Sequence, residues 1–111
     1  MILIISSFGK TLESSPNPRF GRTDFFIKYD TEKDVWEPLE NPAASQSGGA
    51  GIAASQFLAN QNAAVAISGH FGPNAFRALS SAKIKMVTFN NSYETIEDVV
   101  EAYKQNSLEE V

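Results

Sequence analysis

Two short, uninterrupted apolar runs constrain the fold of this chain more than any other feature of its sequence. Ile2–Ile5 leads into a pair of serines, and Ala64–Ser68 leads into a glycine-rich turn. Short segments that are apolar at nearly every position are typical of strands buried on both faces, as in parallel sheets. We therefore expect both segments to be central strands of an α/β fold, in which helices cover the sheet.

The remaining strands and helices are predicted from alternation, turn residues and helical periodicity. Further strands are expected at Asp24–Tyr29, Val35–Leu39 and Ile84–Phe89. Pro38 indicates that its strand lies at a sheet edge, because proline lacks the N–H that a ladder requires. Three helices are expected. The first begins between Gly49 and Ile52 and ends at Asn60, and the second spans Pro73–Ser81. The third begins at a capping box formed by Thr95 and Asp98 and continues to Tyr103.

The order of these elements predicts a single domain over residues 1–111, with a hairpin followed by right-handed crossover units. The most economical mixed sheet has five strands in the order 3-2-1-4-5, with the second strand antiparallel to the others and three helices packed on it. The segment after Gln105 is expected to be loose. Strand direction then gathers four loops at the carboxyl edge of the sheet, where open α/β sheets usually bind ligands.

Composition excludes several classes of protein. The chain has no cysteine, which excludes disulfides, thiolate-bound clusters and thiol catalysis. It has 13 acidic and 9 basic residues and a formal net charge of -4, so we expect no nucleic-acid partner. The apolar start is too short for a secretory signal, and no window approaches the roughly 18 apolar residues of a membrane span. We expect no membrane association and a cytoplasmic location.

The candidate binding residues are those that the predicted topology brings to the carboxyl edge. Two arginines in the loop after the first strand could hold carboxylate or phosphate groups, and they could equally be solvated. The single histidine could serve as a metal ligand or an acid–base group, or could be an ordinary turn residue. Glycines there could form a rim of N–H groups or simply permit tight turns. The candidate cofactor-binding residues are Arg19, Phe20, Gly21, Arg22, Gly48, Gly49, Gly69, His70 and Gly72, with His70 as the candidate metal ligand.

No catalytic or nucleotide-binding motif accompanies these residues. No serine can be paired with the histidine and an acid by a recognisable spacing, and no GxxxxGK[ST] segment occurs. The segment Gly49-x-Gly51-x-x-Ala54 fits a loose dinucleotide fingerprint, but it follows a polar loop and has no acidic residue about 20 positions later. We expect a protein that is not an enzyme.

Several segments, in their order and spacing, resemble the dinitrogenase iron–molybdenum cofactor biosynthesis family, with its NifX- and NafY-like domain. They are Arg19–Arg22, Glu40–Pro42, Gly48–Gly51, Ser68-Gly69 with Gly72, Ile84, and Thr95–Tyr103. The resemblance covers nearly the whole chain and implies a ribonuclease H-like fold without catalytic activity. It also implies binding or shuttling of an iron–molybdenum cofactor or iron–sulfur cluster precursor, with cluster-assembly or nitrogenase proteins as partners.

This chain departs from the family pattern at two positions, and one of them is His70, which stands in a turn where many members have a non-ligating residue. The family commonly has histidine ahead of Phe-Gly-Arg, whereas this chain has Arg19. An anionic cofactor would then be held by the two arginines and backbone N–H groups, with His70 as a single labile ligand, so that the isolated protein need not contain it.

Two alternatives to a carrier remain open at this point. The first is a metal-free interaction or regulatory module on the same fold. The second is a nuclease of the ribonuclease H type, which requires carboxylates on its central strands to hold two metal ions. The central strands here end in Ser6 and Ser68, which disfavours the nuclease.

Overall fold

The computed structural model describes residues 1–111 and contains one six-stranded mixed sheet in the order β3-β2-β1-β4-β5-β6. The apolar run at the start forms a central strand, which pairs antiparallel with β2 and parallel with β4. The predicted order of the first five strands and the antiparallel direction of the second are confirmed. The strands are β1 Ile2–Ser7, β2 Phe25–Asp30, β3 Val35–Glu40, β4 Val65–Ser68, β5 Lys85–Thr88 and β6 Glu109–Glu110.

The expectation of five strands and a loose segment after Gln105 is wrong. Glu109 and Glu110 pair antiparallel with β5, and the N–H of Val111 donates to the carbonyl oxygen of Met86 over 3.0 Å. The Glu110 carboxylate also lies 3.4 Å from Lys85 Nζ. These contacts extend the sheet where β5 would otherwise be an edge strand with unpaired backbone groups.

Three helices cover the sheet, two on one face and one on the other, and their bounds lie close to the predicted ones. Strand β1 explains the two layers, because Ile4 packs in one apolar cluster whereas Leu3 and Ile5 pack in the other. No helix is long and apolar enough to cross a membrane. The helices are α1 Ala50–Asn60, α2 Pro73–Ser81 and α3 Ile96–Lys104. The first two pack over the cluster containing Ile4, and α3 packs over the other.

Local signals in the sequence account for two of these boundaries. Pro73 occupies the first turn of α2, where its missing N–H costs nothing. Thr95 caps α3, because its Oγ1 accepts a hydrogen bond of 3.1 Å from the N–H of Asp98. Strand β3 lies at the edge of the sheet, as Pro38 indicates. The ribonuclease H-like relationship stays a prediction.

Candidate functional site

A pocket of about 460 Å³ lies at the carboxyl edge of the sheet, between the loop after β1 and the N-terminal turns of α1 and α2. Six of the nine candidate residues line it, including both arginines and the histidine. Strand direction brings these residues together, since the loops after β1 and β4 both leave the sheet at this edge. The lining residues are Pro18, Arg19, Phe20, Gly21, Arg22, Ala50, Gly51, His70, Gly72, Pro73, Asn74 and Ala75.

The other three candidates lie outside the lining of the pocket. Gly48 and Gly49 are exposed, and Gly49 precedes α1 in the left-handed region with a φ of 71°. Gly69 lies beneath the pocket instead, where a Cβ would stand 2.7 Å from Cα of Pro18. This glycine therefore permits the loop after β1 to approach the end of β4 closely.

The starts of α1 and α2 contribute lining residues that the set of candidate residues does not include. Gly51 and Asn74 line the pocket from the first turns of α1 and α2, together with neighbouring small residues. Pro73 carried a usable signal, because proline in the first turn marks the helix N-terminus that faces the pocket. Gly51 belongs to the glycine-rich segment Gly48–Gly51 of the carboxyl edge, but the candidate set contains Gly48 and Gly49 in its place.

The segment of residues 16–23, here called the arginine loop, is anchored by one aromatic side chain. Phe20 is only 4% exposed, and its ring centroid lies 5.2 Å from that of Phe71 and 5.6 Å from that of Phe26. Its neighbours Arg19 and Arg22 are exposed and line the pocket. Burial of Phe20 thus fixes the middle of the loop and leaves the two guanidinium groups on the surface.

Further contacts join the arginine loop to the surrounding turns. Arg19 forms an isolated parallel β-bridge with His70. The Arg22 guanidinium donates a hydrogen bond to the carbonyl oxygen of Gln46. Gly21 approaches α1 so closely that a Cβ there would stand 2.9 Å from the backbone nitrogen of Gly51. These contacts hold the arginines, the imidazole and the start of α1 around the same pocket.

The two helices at the pocket begin without side-chain caps. Gly49 precedes α1 and Gly72 precedes α2, and neither helix has a capping side chain or an acidic residue in its first turn. The first N–H groups of a helix have no partner within it, and together with the helix dipole they favour an anion. Helix α3, away from the pocket, has both a Thr95 cap and two acidic residues in its first turn.

The titratable groups with shifted pKa values lie at the opposite edge of the sheet, at the turn between β2 and β3. The Tyr29 hydroxyl donates a hydrogen bond of 2.5 Å to Asp34 Oδ1, and Lys104 Nζ lies 3.0 Å from the same oxygen. These two donors, the hydroxyl first, lower the pKa of the Asp34 carboxyl. The hydrogen bond to Asp34 in turn raises the pKa of both Tyr29 and Lys104. This cluster joins the turn to α3 and plays no part in the pocket.

The donor set of the pocket fits an anionic ligand better than a bare cation. Its charged side chains are two arginines, and His70 is its one imidazole. No group of three histidine, cysteine, aspartate or glutamate residues is placed to hold a metal ion. A metal-containing anion could be held by the guanidinium groups and helix N–H groups, with one bond from the imidazole to a metal atom.

Comparisons with known proteins identify a family and similar solved structures. A family model described as dinitrogenase iron-molybdenum cofactor matches residues 1–106. The chain is similar to the apo form of the orange protein from Desulfovibrio gigas, at 31% identity and a TM-score of 0.94, covering 99% of this chain and 92% of that one. It is also similar to a Thermotoga protein provisionally assigned as a NifB protein of the DUF35 family, at 34% identity and a TM-score of 0.85, covering 98% and 91%. No curated protein matches the chain.

Proposed function

This chain belongs to the dinitrogenase iron-molybdenum cofactor family, and we propose that it binds and carries a cofactor of the iron–molybdenum or iron–sulfur type, or a precursor, without catalysing a reaction. The observation that carries the proposal is the set of charged groups in the pocket. The chain has a formal net charge of -4, yet the charged side chains that line its pocket are the two arginines. An acidic protein that concentrates positive charge at one concave site is suited to an anionic ligand.

The pocket offers three kinds of contact to such a ligand. Arg19 and Arg22 would donate charge-assisted hydrogen bonds to sulfide, oxo or carboxylate groups at its surface. The uncapped N-terminal turns of α1 and α2 would add backbone N–H donors. His70 would supply one nitrogen ligand to a metal atom.

A single protein ligand suits a carrier. A structural metal site surrounds its metal with several protein ligands and retains it. Here only one metal–ligand bond would have to break, and the remaining contacts are hydrogen bonds that a receiving protein could replace. Arg19, Arg22 and His70 are all exposed, so a receiving protein could reach a ligand held between them. The volume of about 460 Å³ lies within the range of about 300–1,000 Å³ that ligand pockets occupy.

The similar structures support the same role. The orange protein is described in an apo form, a term used for a protein that also has a ligand-bound form. The Thermotoga protein carries a provisional NifB assignment. By extension, we propose that this chain has a ribonuclease H-like fold and acts in the cytoplasm. Cluster-assembly or nitrogenase proteins would donate the cofactor to it and accept the cofactor from it.

Cofactor uptake by purified protein tests the proposal. The protein is incubated anaerobically with isolated iron-molybdenum cofactor and desalted, and iron and molybdenum are measured per chain. Wild type should retain both metals, and Arg19→Ala and Arg22→Ala should each weaken binding by about tenfold or more, since a hydrogen bond to a charged group contributes about 1.5–3 kcal/mol. His70→Ala should speed release of the cofactor.

A charge-matched control makes the result specific. Lys33 is an exposed cation in the β2–β3 turn, at the edge opposite the pocket, so Lys33→Ala should bind like wild type. Equal retention by the arginine variants and the lysine variant would contradict the assigned site. Absence of metal from the wild type would contradict the carrier role and favour the metal-free interaction module.

A further inference from the structure

We propose that Ser6 and Ser68 are positioning residues, whose buried hydroxyl groups hold the arginine loop in its binding geometry before any ligand arrives. Ser68 is the last residue of β4, Ser6 is the second-last residue of the neighbouring parallel strand β1, and both are fully buried. Their Oγ atoms lie 2.8 Å apart. They occupy the floor beneath the loop and do not line the pocket themselves.

Both hydroxyls are directed at the backbone of the arginine loop. Ser6 Oγ lies 2.6 Å from the carbonyl oxygen of Asn17, and Ser68 Oγ lies 3.3 Å from the carbonyl oxygen of Pro18. The N–H of Asn17 donates in return to the carbonyl oxygen of Ser6 over 3.0 Å. Each hydroxyl has one proton to donate, so the pair can donate to both loop carbonyls, or to one carbonyl and across the pair, but not to all three acceptors at once.

A second layer of polar contacts carries this constraint to the arginines. The Asn17 side chain is buried, and its Oδ1 accepts a hydrogen bond of 3.0 Å from the N–H of Arg19. Its Nδ2 donates over 3.1 Å to Thr23 Oγ1, which donates over 2.8 Å to the carbonyl oxygen of Ser7. The loop is therefore fixed to β1 at both ends, immediately before Arg19 and immediately after Arg22.

The placement of these serines favours a positioning role over a general stabilising one. Ser6 and Ser68 lie near the carboxyl ends of strands whose preceding residues are all apolar, where alanine or valine would pack without a polar group to satisfy. Apart from a contact at the 3.5 Å limit to Ile67, their partners are each other and the loop. A loop ordered in advance binds more tightly, because its conformational entropy has been lost on folding rather than on binding.

The inference rests on the proposed function for its ligand but on geometry alone for the order of the loop, so the experiment has two arms. The first arm measures amide hydrogen exchange without ligand in wild type, Ser6→Ala and Ser68→Ala. We expect the amides of Asn17 and Arg19 to exchange about tenfold faster in both variants, with a smaller change at Leu3 in β1, since a lost hydrogen bond frees the loop locally.

The second arm measures binding of isolated iron-molybdenum cofactor and compares it with stability towards urea. Ser55→Ala is the matched control, because Ser55 is also buried but its hydroxyl bonds to the carbonyl oxygen of Gly51 within α1. Ser6→Ala and Ser68→Ala should weaken binding by about tenfold, whereas Ser55→Ala should leave it unchanged at a comparable loss of stability.

The outcomes separate this inference from the proposed function. Unchanged exchange at Asn17 and Arg19 in both serine variants overturns the positioning role, whatever happens to binding. A loosened loop with undiminished binding overturns the link between loop order and affinity. If the wild type takes up no cofactor, the carrier proposal fails, and the exchange rates alone then decide whether the serines position the loop.

Discussion

The substitution Gly69→Ala tests the close approach between the end of β4 and Pro18 of the arginine loop. A Cβ on Gly69 would lie 2.7 Å from both Cα and Cβ of Pro18, and 3.2 Å from its carbonyl oxygen. These are backbone and ring atoms, so no side-chain rotation relieves the contact. Carbon atoms pack at about 3.5–4.0 Å, so β4 and the arginine loop would have to separate by about 1 Å.

The expected cost of Gly69→Ala follows from this overlap. Overpacking of a well-packed site costs about 1–3 kcal/mol. For 111 residues, an unfolding entropy of about 2.1 cal/mol/K per residue converts each kcal/mol into about 4 °C of melting temperature. We therefore expect Tm to fall by about 4–13 °C, and the β-bridge between Arg19 and His70 to weaken with it.

Gly72→Ala is the matched control, three residues further along the same turn. A Cβ on Gly72 would meet nothing within 4 Å, and its φ of -68° is open to any residue. Restricting the unfolded chain stabilises by about 0.4–1 kcal/mol, and losing glycine at an N-cap costs a similar amount. The two effects should cancel to within about 0.5 kcal/mol.

Urea and thermal unfolding followed by far-ultraviolet circular dichroism would measure both variants. We expect Gly69→Ala to be less stable than Gly72→Ala by at least about 1 kcal/mol, with an unchanged m-value. Equal midpoints for the two variants would refute this expectation, because they would mean that the loop does not press against the end of β4.

Three further predictions concern the anchors of the fold. Phe20→Ala should lower the free energy of unfolding by about 3–5 kcal/mol in urea, because it empties a buried ring site beneath the arginines. Thr95→Ala should cost about 1 kcal/mol in the same assay, because α3 loses its N-cap. Hydrogen bonds from Tyr29, the larger effect, and from Lys104 lower the pKa of Asp34. The Asp34 carboxylate therefore contributes its whole stabilisation of the folded state above the ordinary pKa of 3.8, and this contribution is lost as pH falls through the lowered pKa. Urea midpoints of wild type and Asp34→Asn should therefore converge in acid, and a constant difference would contradict this.

The sequence predicts most of the sheet because its central strands are apolar except at their carboxyl ends. Burial on both faces leaves β1 and β4 only a central position, and the crossover rule then sets the order of the first five strands. Strand β6 escapes this reasoning, because Glu109 and Glu110 carry neither alternation nor β-propensity. They pair because β5 offers a free edge and Lys85 offers an opposite charge.

The site is predictable to the extent that it depends on strand direction. Parallel strands bring the loops after β1 and β4 to one edge, which places Arg22 beside the same pocket as His70. Which glycines line that pocket depends on where α1 begins and how it is rotated, and this distinguishes Gly49 from Gly51. Sequence patterns do not locate the first residue of a helix, or its rotation about its axis, to within one or two residues.

The buried polar layer under the loop lay beyond sequence reasoning for a different reason. Ser6 and Ser68 are 62 positions apart, and their role depends on which loop backbone lies above them. Their hydroxyls are informative only once the carbonyl groups of Asn17 and Pro18 are placed within reach. No local pattern encodes such a contact, because serine at a strand end is common in chains without any such loop.

The three helices of this chain differ in how their N-termini are capped. Helix α3 follows the rules of a stable helix, with a Thr95 cap and acidic residues in its first turn. Helices α1 and α2 differ from it at the pocket, since glycines precede both and no side chain caps their N–H groups. A capping side chain at Gly49 or Gly72 would contribute stability but would compete with a ligand for the same N–H groups. The contrast among the three helices leaves the first N–H groups beside the arginine loop without side-chain caps, which is what the proposed anion site requires.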